Sequence, residues 1–254
     1  MFLRLLGLGL VLFLSAPSYS YAIVVSTTTF NTTIGPEGLD VYDNVGVIIN
    51  GSHRGTGTYL GDGWVLTAAH VGAGDITLGG VSYSPIDATV GSAFTKQLDN
   101  PDDSILAGAE QKSDLLMYKI AGTPILSTVS IGTAPIISDV VTMVGAGWNV
   151  EDLNNDNIPD KHYFDSDFNE VIEGGHAFSG YLKGSGHAKR WGQNYVSMVD
   201  QLLIHDDIFD TVSFVTTFSD SGTSITNEAQ AVPGDSGGAV VKSAGGGSGG
   251  VDVR

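Results

Sequence analysis

Three stretches of the chain carry the parts that hydrolysis of a peptide at neutral pH requires: a nucleophile, a base, a group that orients the base, and donors for the oxyanion. In Pro233-Gly234-Asp235-Ser236-Gly237-Gly238, glycines surround a single serine. They permit a sharp turn that exposes the Ser236 hydroxyl and aims backbone N–H groups at one point, as an oxyanion hole needs. In Trp64-Val65-Leu66-Thr67-Ala68-Ala69-His70, an apolar run ends in two alanines. Their small side chains allow close backbone packing and leave the His70 imidazole at the end of a strand, facing a cleft. In Ser113-Asp114-Leu115-Leu116-Met117-Tyr118-Lys119-Ile120, an acid opens an apolar strand 44 residues after His70. Buried beside an imidazole, such a carboxylate fixes the tautomer and stabilises the imidazolium.

Each stretch alone also reads as ordinary structure: a strand-end histidine, a turn acid, a glycine turn. Their occurrence together in one chain weighs against that reading. Asp103 is the nearest rival to Asp114, but it lacks the extended apolar strand. The absence of cysteine excludes a thiol nucleophile, a thiolate metal site and a disulfide framework. His53, His162, His176, His187 and His205 are scattered without ligand spacing and read as surface or loop residues; H-E-x-x-H is absent. No cofactor is required by this chemistry. Asp152, Asn154, Asp156 and Asp160 place oxygen ligands as the start of a calcium loop does. The glycine at the sixth position is missing and Tyr163 stands at the twelfth, so a solvated acidic loop is the preferred reading, with calcium as the alternative.

The elements that must position these residues read as strands. Gly, Thr, Ser and Val are abundant and helix formers are sparse, which favours short strands joined by glycine turns. Candidates are residues 45–50, 57–60, 64–68, 75–78, 115–120, 140–144, 212–218 and 239–242. Gly61-Asp62-Gly63 is a hairpin signal. No helical period or internal repeat appears, so an all-β barrel or sandwich is expected. Residues 151–189, rich in Asn, Asp, Gly and His, read as long inserted loops, and 244–250 as a low-complexity segment.

The formal net charge of −17 makes nucleic acid an unexpected partner, since phosphate binding needs clustered Lys and Arg. An anionic membrane is disfavoured for the same reason. Met1 to Ala22 reads as a signal peptide: Arg4, an apolar run from Leu5 to Leu14, then small residues up to Ala22. That run is shorter than the ~20 residues a spanning helix needs. A secreted chain, extracellular or periplasmic, is expected, and the lack of cysteine points to a bacterial source.

T-A-A-H at 67–70, the D-L-L-M-Y-K-I stretch from Asp114 and G-D-S-G-G at 234–238 resemble, in that order, the motifs of the trypsin/chymotrypsin-like serine proteases, of the bacterial type without disulfides. Gly55-Thr56-Gly57-Thr58-Tyr59-Leu60 is similar to the strand before the family's histidine, and Val141 to Gly147 to the strand opening its second domain. The resemblance implies two six-stranded antiparallel β-barrels: residues 23–125, and 126–254 with the 151–189 insertion. Eighteen residues follow Ser236, so the second barrel is expected to be incomplete at its C-terminal end. The resemblance also implies an endopeptidase with the triad His70, Asp114 and Ser236, acting through an acyl-enzyme. The N–H groups of Gly234 and Ser236 would form the oxyanion hole. Asp235 would pair with a new amine at Ile23, released by cleavage after Ala22. Gln230 stands where trypsin has the pocket Asp, which implies a neutral primary pocket. Protein or peptide substrates and a monomer are expected. The alternative is a catalytically silent protease-like binding module, or a truncated chain.

Overall fold

Runs of Val, Ile, Thr and Tyr separated by glycine turns make the chain all-β, as its composition predicts, with one short 3-10 turn, at Asp40–Asn44, among the described residues. The computed structural model describes residues 23–25, 34–36, 38–100, 112–151, 153, 160–167, 169–205, 209–218, 225, 227–242 and 251–252. The expected signal peptide, the 244–250 segment, Asp103 and the calcium candidates Asp152, Asn154 and Asp156 lie outside the described residues.

Strand β1 (Val24–Val25) is the first among the described residues. A seven-stranded antiparallel sheet follows, made of β2 (Val45–Asn50), β3 (His53–Gly61), β4 (Trp64–Ala68), β5 (Asp75–Leu78), β6 (Val81–Tyr83), β7 (Thr95–Asp99) and β8 (Lys112–Lys119), in the order β6-β5-β2-β3-β4-β8-β7. Gly61 and Gly63, with φ of 113° and 81°, turn the β3–β4 hairpin at the expected place. The strand expected at 115–120 starts earlier, at Lys112, so Asp114 lies within it rather than at its opening. A bridge between Pro85 and Ile120 curls the sheet toward closure. Ile48, Tyr59, Val65, Ile76, Leu116 and Tyr118 fill its concave face. The buried Tyr118 hydroxyl donates to Gly74 O at 3.0 Å, and burial pushes its pKa up.

The second half holds a five-stranded sheet in the order β16-β15-β9-β18-β19. It is built from β9 (Val140–Gly145), β15 (Arg190–His205), β16 (Phe209–Thr216), β18 (Ala239–Lys242) and β19 (Val251–Asp252). The insertion expected to be loop carries strands instead: β10 (Trp148–Val150) pairs β14 (Lys183–His187), while β11 (Lys161–Phe164), β12 (Glu170–Val171) and β13 (Phe178–Tyr181) make a small sheet of their own. Its ladders satisfy the backbone with little apolar content, which is why hydrophobic period gave no signal there. The short β17 (Ala229–Gln230) pairs with β1.

Among the described residues the two largest sheets have seven and five strands, against an expectation of two six-stranded barrels. Val45 and Leu66 from one sheet meet Val144, Trp191, Ala239 and Val241 from the other in a single buried cluster. Lys189 reinforces this seam by donating to Tyr42 O at 2.9 Å and Val45 O at 3.1 Å.

Candidate active site

The register of β4 and β8 brings His70 and Asp114 together. The ladder pairs Ala68 with Leu115, and the next backbone bond runs from Ala69 N to Asp114 O at 3.1 Å. Beyond Ala68 the chain turns tightly, with Val71 N and Gly72 N both donating to Ala68 O and Gly72 at φ 77°. His70 projects from that turn. Asp114 grips it twice: the backbone N–H of His70 donates to Oδ1 at 2.9 Å, and Nδ1 lies 2.6 Å from Oδ2. The Asp114 side chain is 19% exposed and the imidazole 38%. The hydrogen bond to Asp114 raises the His70 pKa; burial opposes it and the carboxylate charge adds to it. Asp114 is itself held from the second sheet, its N–H donating to Thr211 Oγ1 at 2.9 Å.

The Ser236 segment makes two consecutive tight turns, with Asp235 N bonded to Val232 O at 3.0 Å and Gly238 N to Asp235 O at 2.8 Å. Gly234 at φ 96° and Gly237 at φ 82° take backbone that other residues resist. Thr56, fully buried on β3, fastens this segment to the histidine side. Its N–H donates to Ser236 O at 2.9 Å and its hydroxyl to Gly234 O at 2.8 Å. The same hydroxyl accepts from Ala146 N at 3.0 Å, and its carbonyl accepts from Thr67 Oγ1 at 2.7 Å. The described hydrogen bonds thus join His70 to Asp114, and the Ser236 backbone to the strand beside it. None of them joins the Ser236 hydroxyl to the imidazole.

Thr56→Val keeps the shape but strands the Gly234 carbonyl and the Ala146 N–H without their partner. A loss of about 2–4 kcal/mol in unfolding free energy is expected, read by urea denaturation. A loss below about 1 kcal/mol would show that water replaces the hydroxyl.

Asp235 has hydrogen-bond partners of its own. It is buried, and Gly147 N donates to Oδ1 at 2.7 Å, Val232 N to Oδ2 at 2.8 Å, and the Ile23 backbone N–H to the same carboxylate. Desolvation pushes its pKa up to about 6 in spite of these donors. Ile23 is buried against Met143 and Ala229. A cavity of about 520 Å³ beside Ser236 is lined by Ile23, Met143, Val232 and Val240, and by Asp235 itself. Gln230 is exposed on β17, paired with Val24, and does not line that cavity.

Asp160, the described member of the calcium candidates, accepts from Leu153 N, and its own N–H donates to Glu151 O at 2.9 Å. His162 is not the exposed loop residue expected: its side chain is 11% exposed on β11, with Nδ1 2.6 Å from Glu170 and Nε2 3.3 Å from Glu151. Two further residues of the site escaped the sequence reading. Thr56 left a faint signal, a threonine between glycines in a strand. Thr211 left none, because its role depends on the meeting of the two sheets.

No family model matches the chain, and no curated protein matches it. Among solved structures it is similar to the inactive form of the Rv3671c protease, at 15% identity over 84% of both chains with a TM-score of 0.41. It is similar also to an inactive serine-to-alanine mutant of Rv3671c from M. tuberculosis H37Rv, at 15% identity over 91% of both chains with a TM-score of 0.42.

Proposed function

We propose that this chain is a secreted serine endopeptidase of the trypsin/chymotrypsin type, with His70, Asp114 and Ser236 as its triad. The observation that carries the reading is the double hold of Asp114 on His70, at a strand end that Thr56 links to the Ser236 turn. With Nδ1–H given to Asp114, Nε2 is left as an acceptor. Side chains of this kind tighten onto one another when substrate binds. The Ser236 hydroxyl then turns to Nε2, loses its proton there and attacks the scissile carbonyl carbon. Donors at Gly234 N and Ser236 N would receive the negative oxygen, each worth about 3 kcal/mol. The imidazolium returns its proton to the departing amine, leaving an acyl group on Ser236. Water, deprotonated by His70, then attacks the acyl carbon and releases the acid. These steps need no metal or cofactor. The neighbouring cavity is mostly apolar, with Asp235 as its one acidic lining residue; the chain would act as a monomer on protein or peptide substrates.

A fluorophosphonate probe tests the assignment. Covalent labelling of the chain that begins at Ile23, absent in Ser236→Ala, is the expected result. A folded sample that stays unlabelled returns the chain to the silent binding module.

The same reading gives Asp235 a role. While Ile23 is an internal residue, its neutral N–H leaves the buried carboxylate with no cation. A pKa raised from 3.8 to about 6 means that the folded state holds the proton longer than the unfolded state. Stability is therefore intact below pH 4 and falls as pH rises through 6, by about 3 kcal/mol. An ammonium at a new Ile23 terminus removes this loss by pairing with Asp235. Urea denaturation of two chains, one starting at Ile23 and one retaining Ala22, should give equal stability at pH 4 and a clear advantage to the first at pH 7. Parallel profiles would rule the pairing out.

A further inference from the structure

The Ser236 turn has a second neighbour, built from cations. Trp148 N donates to Pro233 O at 3.0 Å, and a Cβ placed on Gly234 would fall 3.0 Å from Gly147 Cα. The start of β10 is therefore packed on the residues that precede Ser236. On the paired strand β14, the His187 ring lies over Trp148 with centroids 4.0 Å apart. Lys183 Nζ sits 3.4 Å from the Trp148 ring centroid. Arg54 lies on β3, two residues before the Thr56 that holds Ser236 O. Both charges reach His187: burial lowers its pKa most, and Arg54 and Lys183 lower it further.

This crowding is unusual for the molecule. The chain has 28 acidic residues against 11 basic ones, so a cation has carboxylates to spare. Lys112 and Lys242 take Asp99 and Asp139. Arg54 and Lys183, both exposed, have no carboxylate partner among the described residues. Two cations that repel across a shared histidine raise the local potential, and an arriving anion lowers it.

We infer that Arg54, Lys183 and the Trp148–His187 stack form a subsite for a substrate carboxylate, so that the preferred peptides carry Asp, Glu or a free C-terminus within a few residues of the bond cleaved. This rests on the protease reading for its place in turnover, but the binding itself does not. The guanidinium offers a planar two-point grip, the ammonium a point charge, and the indole a floor against which the peptide chain can lie.

The test uses the chain starting at Ile23 with Ser236→Ala, so that peptides bind without being cut. Eight-residue peptides carry a single Glu, or Gln in its place, at each position in turn, with the C-terminus free or amidated. Affinities are read by calorimetry. One Glu position is expected to bind about fivefold more tightly than its Gln counterpart. That gain should shrink in high salt and disappear in the Arg54→Gln/Lys183→Gln double variant. A gain seen only with the free terminus assigns the terminal carboxylate as the ligand. Equal binding of every Glu and Gln pair with either terminus, or no binding at all, overturns the subsite. Acid-selective binding in a chain whose Ser236 form takes no fluorophosphonate would keep the subsite and overturn the protease.

Discussion

Asp114→Asn is expected to lower kcat about 10⁴-fold while leaving KM and the fold nearly unchanged. The asparagine oxygen can still accept the His70 backbone N–H, which now bonds to Oδ1 at 2.9 Å. The amide NH₂, however, would face Nδ1 where Oδ2 now stands at 2.6 Å. The imidazole then presents Nδ1 as acceptor and Nε2–H toward Ser236, the tautomer that cannot take the serine proton. The pH profile carries a second signature. The bond to Asp114 holds the His70 pKa above its usual 6.5, so on the proposed reading activity should rise with pH through a value above that in the unsubstituted chain. In the variant the residual activity should rise at lower pH. Rates normalised to probe-titrated sites between pH 5 and 9 check both points, and a loss smaller than tenfold would remove Asp114 from this role.

Gly237→Ala should be the most damaging change of a single methyl group. A Cβ there would lie 2.2 Å from Thr56 O, 2.4 Å from Thr67 Oγ1 and 2.8 Å from Ala68 N. Two of those three atoms are backbone of β3 and β4 and cannot rotate away. The residue also sits at φ 82°, which adds about 1 kcal/mol of strain for alanine. The turn must lift off the strands, which breaks the Thr56 bonds and displaces Ser236. More than about 3 kcal/mol of destabilisation and the loss of probe labelling are expected. Gly51→Ala separates the two causes: φ is 59° there with no atom within 4 Å of the added Cβ, so only the strain remains. Equal destabilisation of the two variants, measured by urea denaturation, would show that contact at Gly237 contributes nothing.

Several parts of this arrangement were legible in the residues. The strands Val45–Asn50, Trp64–Ala68, Asp75–Leu78 and Ala239–Lys242 fall where apolar runs and glycine turns put them. His70 and Asp114 could be nominated from residue type and strand context, but their contact is a matter of register. Spacing along the chain cannot say that Ala68 will pair with Leu115. Thr56 and Thr211 were not legible, because a hydroxyl that bonds across two sheets leaves no local pattern. The small sheet between residues 161 and 181 was hidden for another reason. Strands held by ladder bonds and solvated on their faces lack the period-two apolar signal. His162 followed the same course, since the carboxylates that flank it come from Glu151 and Glu170, on two other segments.

Thr56 and Thr211 tie the site in opposite directions. The first half grips the serine turn of the second, and the second half grips the acid of the first. On the proposed reading, neither half alone would hold a finished catalyst, and the chemistry would wait for the two halves to meet. On that reading a chain whose halves have not yet met would be harmless to its own maker, and pulling the halves apart would disarm the molecule without touching any reactive group.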